Sequence, residues 1–144
     1  MLKIAILGIR GIPAKYGGFE TFAEELAIRL VKRGIGVTVF CEDTGLGKEN
    51  SYKGVQLRYI KSPQAGPLSR GFYELRCFWG ARKNFDLVYV LGYGSSVFCI
   101  IPRICGSRVW INMDGIEWSR AKWSGSLTKP ILKILEACAM WTPN

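Results

Sequence analysis

Apolar and polar positions alternate along the chain between two periods, one of strands and one of helices. Residues 2–7 are an aliphatic run ended by Gly8 and predict a buried strand. Residues 8–18, with four glycines and a proline, predict a long loop. From 19 to 33 the apolar positions are 19, 22, 23, 26, 27, 30 and 31, the spacing of an amphipathic helix. Thr21 and Glu24 have the spacing of a capping box at its start, and Gly34 stops it. Residues 37–41 predict a second strand, 42–54 a polar loop and 55–60 a third strand. Pro63, Gly66 and Pro67 make 61–69 irregular. A helix is expected over 70–83, with Phe72, Leu75, Arg76 and Trp79 along it. Residues 86–91 predict the fourth strand, 95–105 a buried helix interrupted by Pro102, and 107–113 the fifth strand. After a loop at 114–126 comes a last helix over 127–141, with Leu127, Ile131, Ile134, Leu135 and Cys138 as its apolar face.

Strands alternating with helices of this length predict an α/β fold with a doubly wound, mostly parallel sheet. The length of 144 residues fits a single domain. Ligands of such sheets bind at the carboxyl ends of the strands. The chemistry is therefore expected in the loops 8–18, 92–96 and 113–123.

Composition removes several chemistries. The chain has no histidine, and its five cysteines form no CxxC pair. That excludes histidine-based triads and zinc fingers and gives no metal site. The cysteines are expected to be buried free thiols in a reducing cytoplasm. The run from 87 to 105 approaches the length of a membrane span. Gly92 to Ser96 and Pro102 break it, so a strand, a turn and a helix are expected there.

The first loop lacks the GxGxxG spacing: Gly8 and Gly11 are three apart, and the next glycines are 17 and 18. Two readings fit the Gly17–Gly18 pair. One is a plain helix-opening turn. The other is a phosphate contact at a helix amino end, with Arg10 and Lys15 adding charge. At the end of the fifth strand stand Asn112, Asp114, Glu117, Trp118 and Arg120. Asp114 suits a base or a hydroxyl-orienting carboxylate, and equally an Asp-Gly turn or a salt bridge to Arg120. Tyr93, Gly94 and Ser95 end the fourth strand on the same rim, where backbone N–H groups bind a polar ligand or Ser95 or Ser96 caps a helix.

The formal charge of +9 is spread evenly along the sequence, with no nucleic-acid arm. Two short basic clusters stand out: Arg76, Arg82 and Lys83, and Arg120, Lys122, Lys129 and Lys133. With Phe78, Trp79 and Trp123 among them, they suit an anionic membrane surface or a solvated face.

The string from Lys3 to Phe22, KIAILGIRGIPAKYGGFETF, closely resembles the opening of the retaining GT-B enzymes of glycosyltransferase family 4. Within them it resembles the rhamnosyltransferase-type group that builds surface polysaccharides. The string from Asn112 to Trp123, NMDGIEWSRAKW, is similar to that group's pattern too. The resemblance reaches to about residue 140. It implies a Rossmann-like amino-terminal, acceptor-side domain over 1–144, with a carboxyl-terminal donor domain and its Glu-x7-Glu motif absent. It implies Gly17, Gly18, Arg10 and Lys15 near the donor diphosphate. Tyr93, Gly94, Ser95, Asn112, Glu117, Trp118 and Arg120 would line the acceptor cleft. Asp114, the implied catalytic position, stands about where many members have a histidine.

The implied reaction is metal-independent transfer of rhamnose from dTDP-rhamnose to a lipid-linked oligosaccharide. It would take place at the cytoplasmic, inner face of the cell membrane, with no nucleic-acid partner and no cofactor. The fragment by itself would be inactive. The alternative is a non-catalytic, membrane-associated binding module that partners a separate donor domain.

Overall fold

The computed structural model describes residues 1–15, 17–45, 49–63, 66–113 and 128–141. Its elements run β1 (Lys3–Leu7), α1 (Gly17–Lys32), β2 (Gly36–Asp43), β3 (Ser51–Tyr52), β4 (Val55–Lys61), α2 (Ser69–Ala81), β5 (Leu87–Leu91), α3 (Ile100–Ile104), β6 (Arg108–Asn112) and α4 (Thr128–Trp141). Short 3-10 turns cover Gly66–Leu68 and Ser96–Cys99.

Six strands form one sheet in the order β3-β4-β2-β1-β5-β6. All neighbours are parallel except the two-residue β3, which pairs antiparallel with β4. Ile4 sits between Val37 of β2 and Leu87 of β5 in register. The chain moves from β1 outward to β4, then crosses back over the sheet through α2 to β5. The winding therefore reverses at β1, and the loops after β1 and β5 part on either side of that point. This is the Rossmann-like arrangement.

Strand residues are apolar on both sides because both faces of the sheet are covered. Ile4 and Ile6 point to α1, where they pack with Ala23, Ala27, Val37, Val39, Val55 and Leu57. Ala5 and Leu7 point the other way, into Tyr73, Cys77, Phe78, Ala81, Val88 and Val109. In α1 the fully buried positions are two alanines four residues apart, which lets the helix lie close to the strands.

Several expectations are corrected here. The first helix begins at Gly17, so Thr21 lies inside it and its hydroxyl donates to the Gly17 carbonyl at 3.3 Å. Glu24 does not close a capping box. Its carboxylate accepts the Ala14 N–H at 2.7 Å and the Tyr52 hydroxyl at 3.0 Å. The polar loop at 42–54 contains β3, a strand too short to show a period. In α2 the inward face is Tyr73, Glu74, Cys77, Phe78 and Ala81, while Phe72 and Trp79 face outward. Apolar residues lie on both sides of that helix, so periodicity alone left its face undecided.

The helix expected at 95–105 is a 3-10 turn followed by the five residues of α3. Pro102 is buried and falls in the opening turn of α3, where a missing N–H is tolerated. Neither Ser95 nor Ser96 caps with its side chain; the Ser96 hydroxyl donates to the Leu135 carbonyl. In α4, Ala139 is buried and Leu135 half-buried, whereas Ile131 and Ile134 are exposed. All five cysteines are free; Cys41, Cys77 and Cys99 are buried, but Cys105 is exposed and Cys138 only partly covered. Among the described residues, no helix is long and apolar enough to cross a membrane.

Candidate functional site

The loop after β1 is held by side chains of α1 and α2 and by one backbone bond to β2. The Glu20 carboxylate accepts the Arg10 N–H at 3.3 Å, and Glu24 takes the Ala14 N–H as above. The Arg10 carbonyl accepts the Glu42 N–H of β2 at 2.7 Å. From the opposite face of the sheet, the Tyr73 hydroxyl donates to the Ile9 carbonyl at 3.2 Å. The Ile12–Pro13 peptide is cis.

Outside this loop lies a cleft of about 280 Å³ at the carboxyl ends of β1, β2 and β4. Arg10 and Lys15 lie on the loop side, with Ile12 and Pro13 as an apolar patch. Glu20 comes from α1, Glu42 and Thr44 from the end of β2, and Tyr59 from β4. Cys41 lies at its floor, where burial pushes the thiol above its ordinary range. Two cations and two carboxylates thus share one concave surface.

A second polar group lies at the β1/β5 side of the rim. α2 runs back from the carboxyl edge, so Arg70 stands at the rim and Glu74 one turn below. Arg70 Nη2 is 2.6 Å from Glu74 Oε1, and the Arg70 guanidinium lies 5.3 Å from the centre of the Tyr73 ring. The Arg70 side chain is 49% exposed and that of Glu74 only 7%, so the pair bridges solvent and core. Glu74 Oε2 is buried and has no hydrogen-bond partner among the described residues. Burial pushes the Glu74 carboxyl above the usual range, and the Glu42 charge adds to this; Arg70 and Ser95 oppose it. Burial raises the Tyr73 phenol as well, and it lifts the Cys77 thiol to about 12.

The expected site residues divide into three sets. Arg10 and Lys15 share the cleft. Gly17 and Gly18 form the exposed first turn of α1 and do not line it. Tyr93 and Ser95 are buried at 3% and 7% exposure, and Gly94 is exposed beside them. Asn112 ends β6; its carbonyl accepts the Gly92 N–H at 2.9 Å, tying the turn after β5 to β6. Asp114, Glu117, Trp118 and Arg120 lie outside the described residues, as do Lys122 and Trp123. Sequence reasoning missed Glu20, Glu42, Thr44 and Tyr59, along with the Arg70–Glu74 pair. The run Glu42-Asp43-Thr44 at a strand's carboxyl end carried the same kind of signal as Asp114.

The fold and this rim define a Rossmann-like α/β domain with a polar, ligand-sized cleft at the carboxyl edge of its sheet. Residues 1–142 match a family described as a domain of unknown function, DUF1972. The chain belongs to that family. A comparison with curated proteins gives no match.

Proposed function

We propose that this chain is the acceptor-side, amino-terminal domain of a retaining glycosyltransferase. The transfer is of rhamnose from dTDP-rhamnose to a lipid-linked oligosaccharide in surface-polysaccharide synthesis, at the inner face of the cell membrane. The observation that carries this reading is the cleft at the carboxyl edge, where Arg10 and Lys15 meet next to the first turn of α1. Unpaired N–H groups at that helix start, with the two cations, suit a departing diphosphate without a metal ion. The similarity of the strings around Gly17 and Asp114 to glycosyltransferase family 4 supports it. In this reading Asp114 meets the donor sugar or the acceptor hydroxyl, and a carboxyl-terminal domain supplies most donor contacts.

The test is transfer of radiolabelled rhamnose from its dTDP donor by the full gene product. An ideal Cβ on Gly18 has nothing within 4 Å. Gly18→Trp therefore meets no close contact at its Cβ and places an indole on the exposed first turn of α1. Turnover is expected to fall about 100-fold, the scale of a misplaced reactant. Normal turnover in a folded Gly18→Trp protein removes the proposed role of this turn.

A second reading, a membrane-associated module serving a separate donor domain, is favoured by the outer side of α2. Charge that is even between the two halves of the chain is uneven over shorter stretches. Residues 55–83 hold Arg58, Lys61, Arg70, Arg76, Arg82 and Lys83 against one acid, the buried Glu74. Leu68, Phe72 and Trp79 are exposed among them, and the Arg82 guanidinium lies 4.2 Å from the Trp79 ring centre. Phe78 is fully buried and takes no part, contrary to expectation. Such a surface suits anionic headgroups with shallow aromatic insertion. The chain is expected to co-sediment with phosphatidylglycerol vesicles, to be released by salt, and to bind less when Arg76 and Arg82 become glutamine. Equal binding to neutral phosphatidylcholine vesicles counts against the electrostatic contact. Transfer by the full gene product decides between enzyme and module.

A further inference from the structure

We propose that the cleft between Arg10 and Tyr59 is a subsite for one neutral pyranose ring, the acceptor's sugar if the glycosyltransferase reading holds. The assignment deepens that reading and rests on it only for the word acceptor.

A sugar hydroxyl both donates and accepts a hydrogen bond, so a ring of hydroxyls needs partners of both kinds. Carboxylates only accept; guanidinium and ammonium groups only donate. The cleft supplies Glu20 and Glu42 as acceptors and Arg10 and Lys15 as donors, with Thr44 able to do both. A phosphate or diphosphate asks for donors alone, and two carboxylates on the same walls repel it. In the glycosyltransferase reading the diphosphate therefore meets the amino end of α1 outside these walls, where the Glu20 carboxylate of the same turn is engaged by the Arg10 N–H.

Size and shape give a second, independent constraint. A volume of about 280 Å³ is just below the roughly 300–1,000 Å³ of drug-sized ligand sites, which suits a single ring better than a dinucleotide. Tyr59 supplies an aromatic ring to the lining, beside the apolar side chains of Ile12 and Pro13. Pyranoses carry apolar C–H faces beside their hydroxyls, and an aromatic wall with a few polar groups matches that division.

The backbone that carries these groups is fixed before any ligand arrives. The Glu42 N–H is bonded to the Arg10 carbonyl, and Glu20 holds the Arg10 N–H. The cleft wall is therefore preorganised at the backbone and at Glu20.

The experiment is an amide NMR titration of the 144-residue chain with methyl α-L-rhamnopyranoside, methyl α-D-glucopyranoside and methyl α-D-galactopyranoside, and separately with inorganic pyrophosphate. At least one pyranoside is expected to shift the amides of Glu42, Thr44 and Tyr59 saturably. Glu42→Gln, which keeps the shape of the side chain but loses a charged acceptor, is expected to weaken that binding about tenfold. Tyr59→Leu, with its spectrum still dispersed, is expected to weaken it too. The proposal is overturned if no pyranoside shifts these amides, if pyrophosphate alone does, or if Glu42→Gln binds as tightly as the parent. The two readings separate in the transfer assay. Transfer with an unchanged acceptor KM in Glu42→Gln removes the subsite and leaves the enzyme. Pyranoside binding that depends on Glu42, without transfer, removes the enzyme and leaves the subsite.

Discussion

Gly8→Ala is expected to destabilise the chain by about 3 kcal/mol or more, combining left-handed strain with a clash that cannot relax. Gly8 has φ of +91°, a conformation that L side chains rarely adopt. A Cβ there would sit 2.2 Å from the Leu91 carbonyl oxygen and 2.9 Å from the Leu91 nitrogen. Both are backbone atoms at the end of β5, which is paired on one side with β1 and on the other with β6. Relief would require parting the central strands. Gly34→Ala is the control, because it has φ of +80° but nothing within 4 Å of its Cβ. It is expected to cost only the backbone term of about 1–2 kcal/mol. Denaturant unfolding of the two variants checks this; equal midpoints would show that the close approach at β5 contributes nothing.

The second large effect is Arg70→Ala, expected to cost about 2 kcal/mol at neutral pH. That is below the roughly 3–5 kcal/mol for a fully buried pair, because half of the Arg70 side chain is in water. The loss leaves the Glu74 carboxylate buried without its counter-charge. The deficit depends on pH, and its sign follows from the direction of the Glu74 shift. Burial raises its pKa in the folded chain. Between the ordinary carboxylate value and the raised one, the folded form holds a proton that the unfolded form has lost, so stability falls as pH rises through that window. Without Arg70 the window extends further upward. The gap between Arg70→Ala and the parent should therefore widen toward neutral pH and narrow as pH falls toward the ordinary carboxylate range. Glu74→Gln should be close to the parent at neutral pH and lose this pH dependence. A constant Arg70→Ala deficit across the range would mean that the guanidinium contributes packing on Tyr73 instead of charge.

The strands were legible because a doubly covered sheet writes itself as aliphatic runs. β1, β2, β4, β5 and β6 all come within a few residues of expectation. β3 was not legible, since Ser51 and Tyr52 are two residues held by the turn into β4. The inward face of α2 was hidden for a different reason: Phe72, Tyr73, Phe78 and Trp79 offer aromatic surface on both sides, and only the strands decide which side is covered. Half of the cleft was readable. Arg10 and Lys15 announce themselves in a glycine-rich loop, but Glu42 and Tyr59 join them only because β2 and β4 lie side by side. That adjacency follows from the crossover order, which no local spacing encodes. The excess of cations over residues 55–83 was legible in the sequence; that Leu68, Phe72 and Trp79 stand exposed among them while Phe78 is buried was not.

Tyr73 and Glu74 are consecutive residues, yet one reaches the loop after β1 and the other lies against Ser95 in the turn after β5. The lip after β1 is thereby hydrogen-bonded to α2, and the turn after β5 lies beside the next residue of the same helix. A tilt of α2 would pull on the first lip through the Tyr73 hydroxyl.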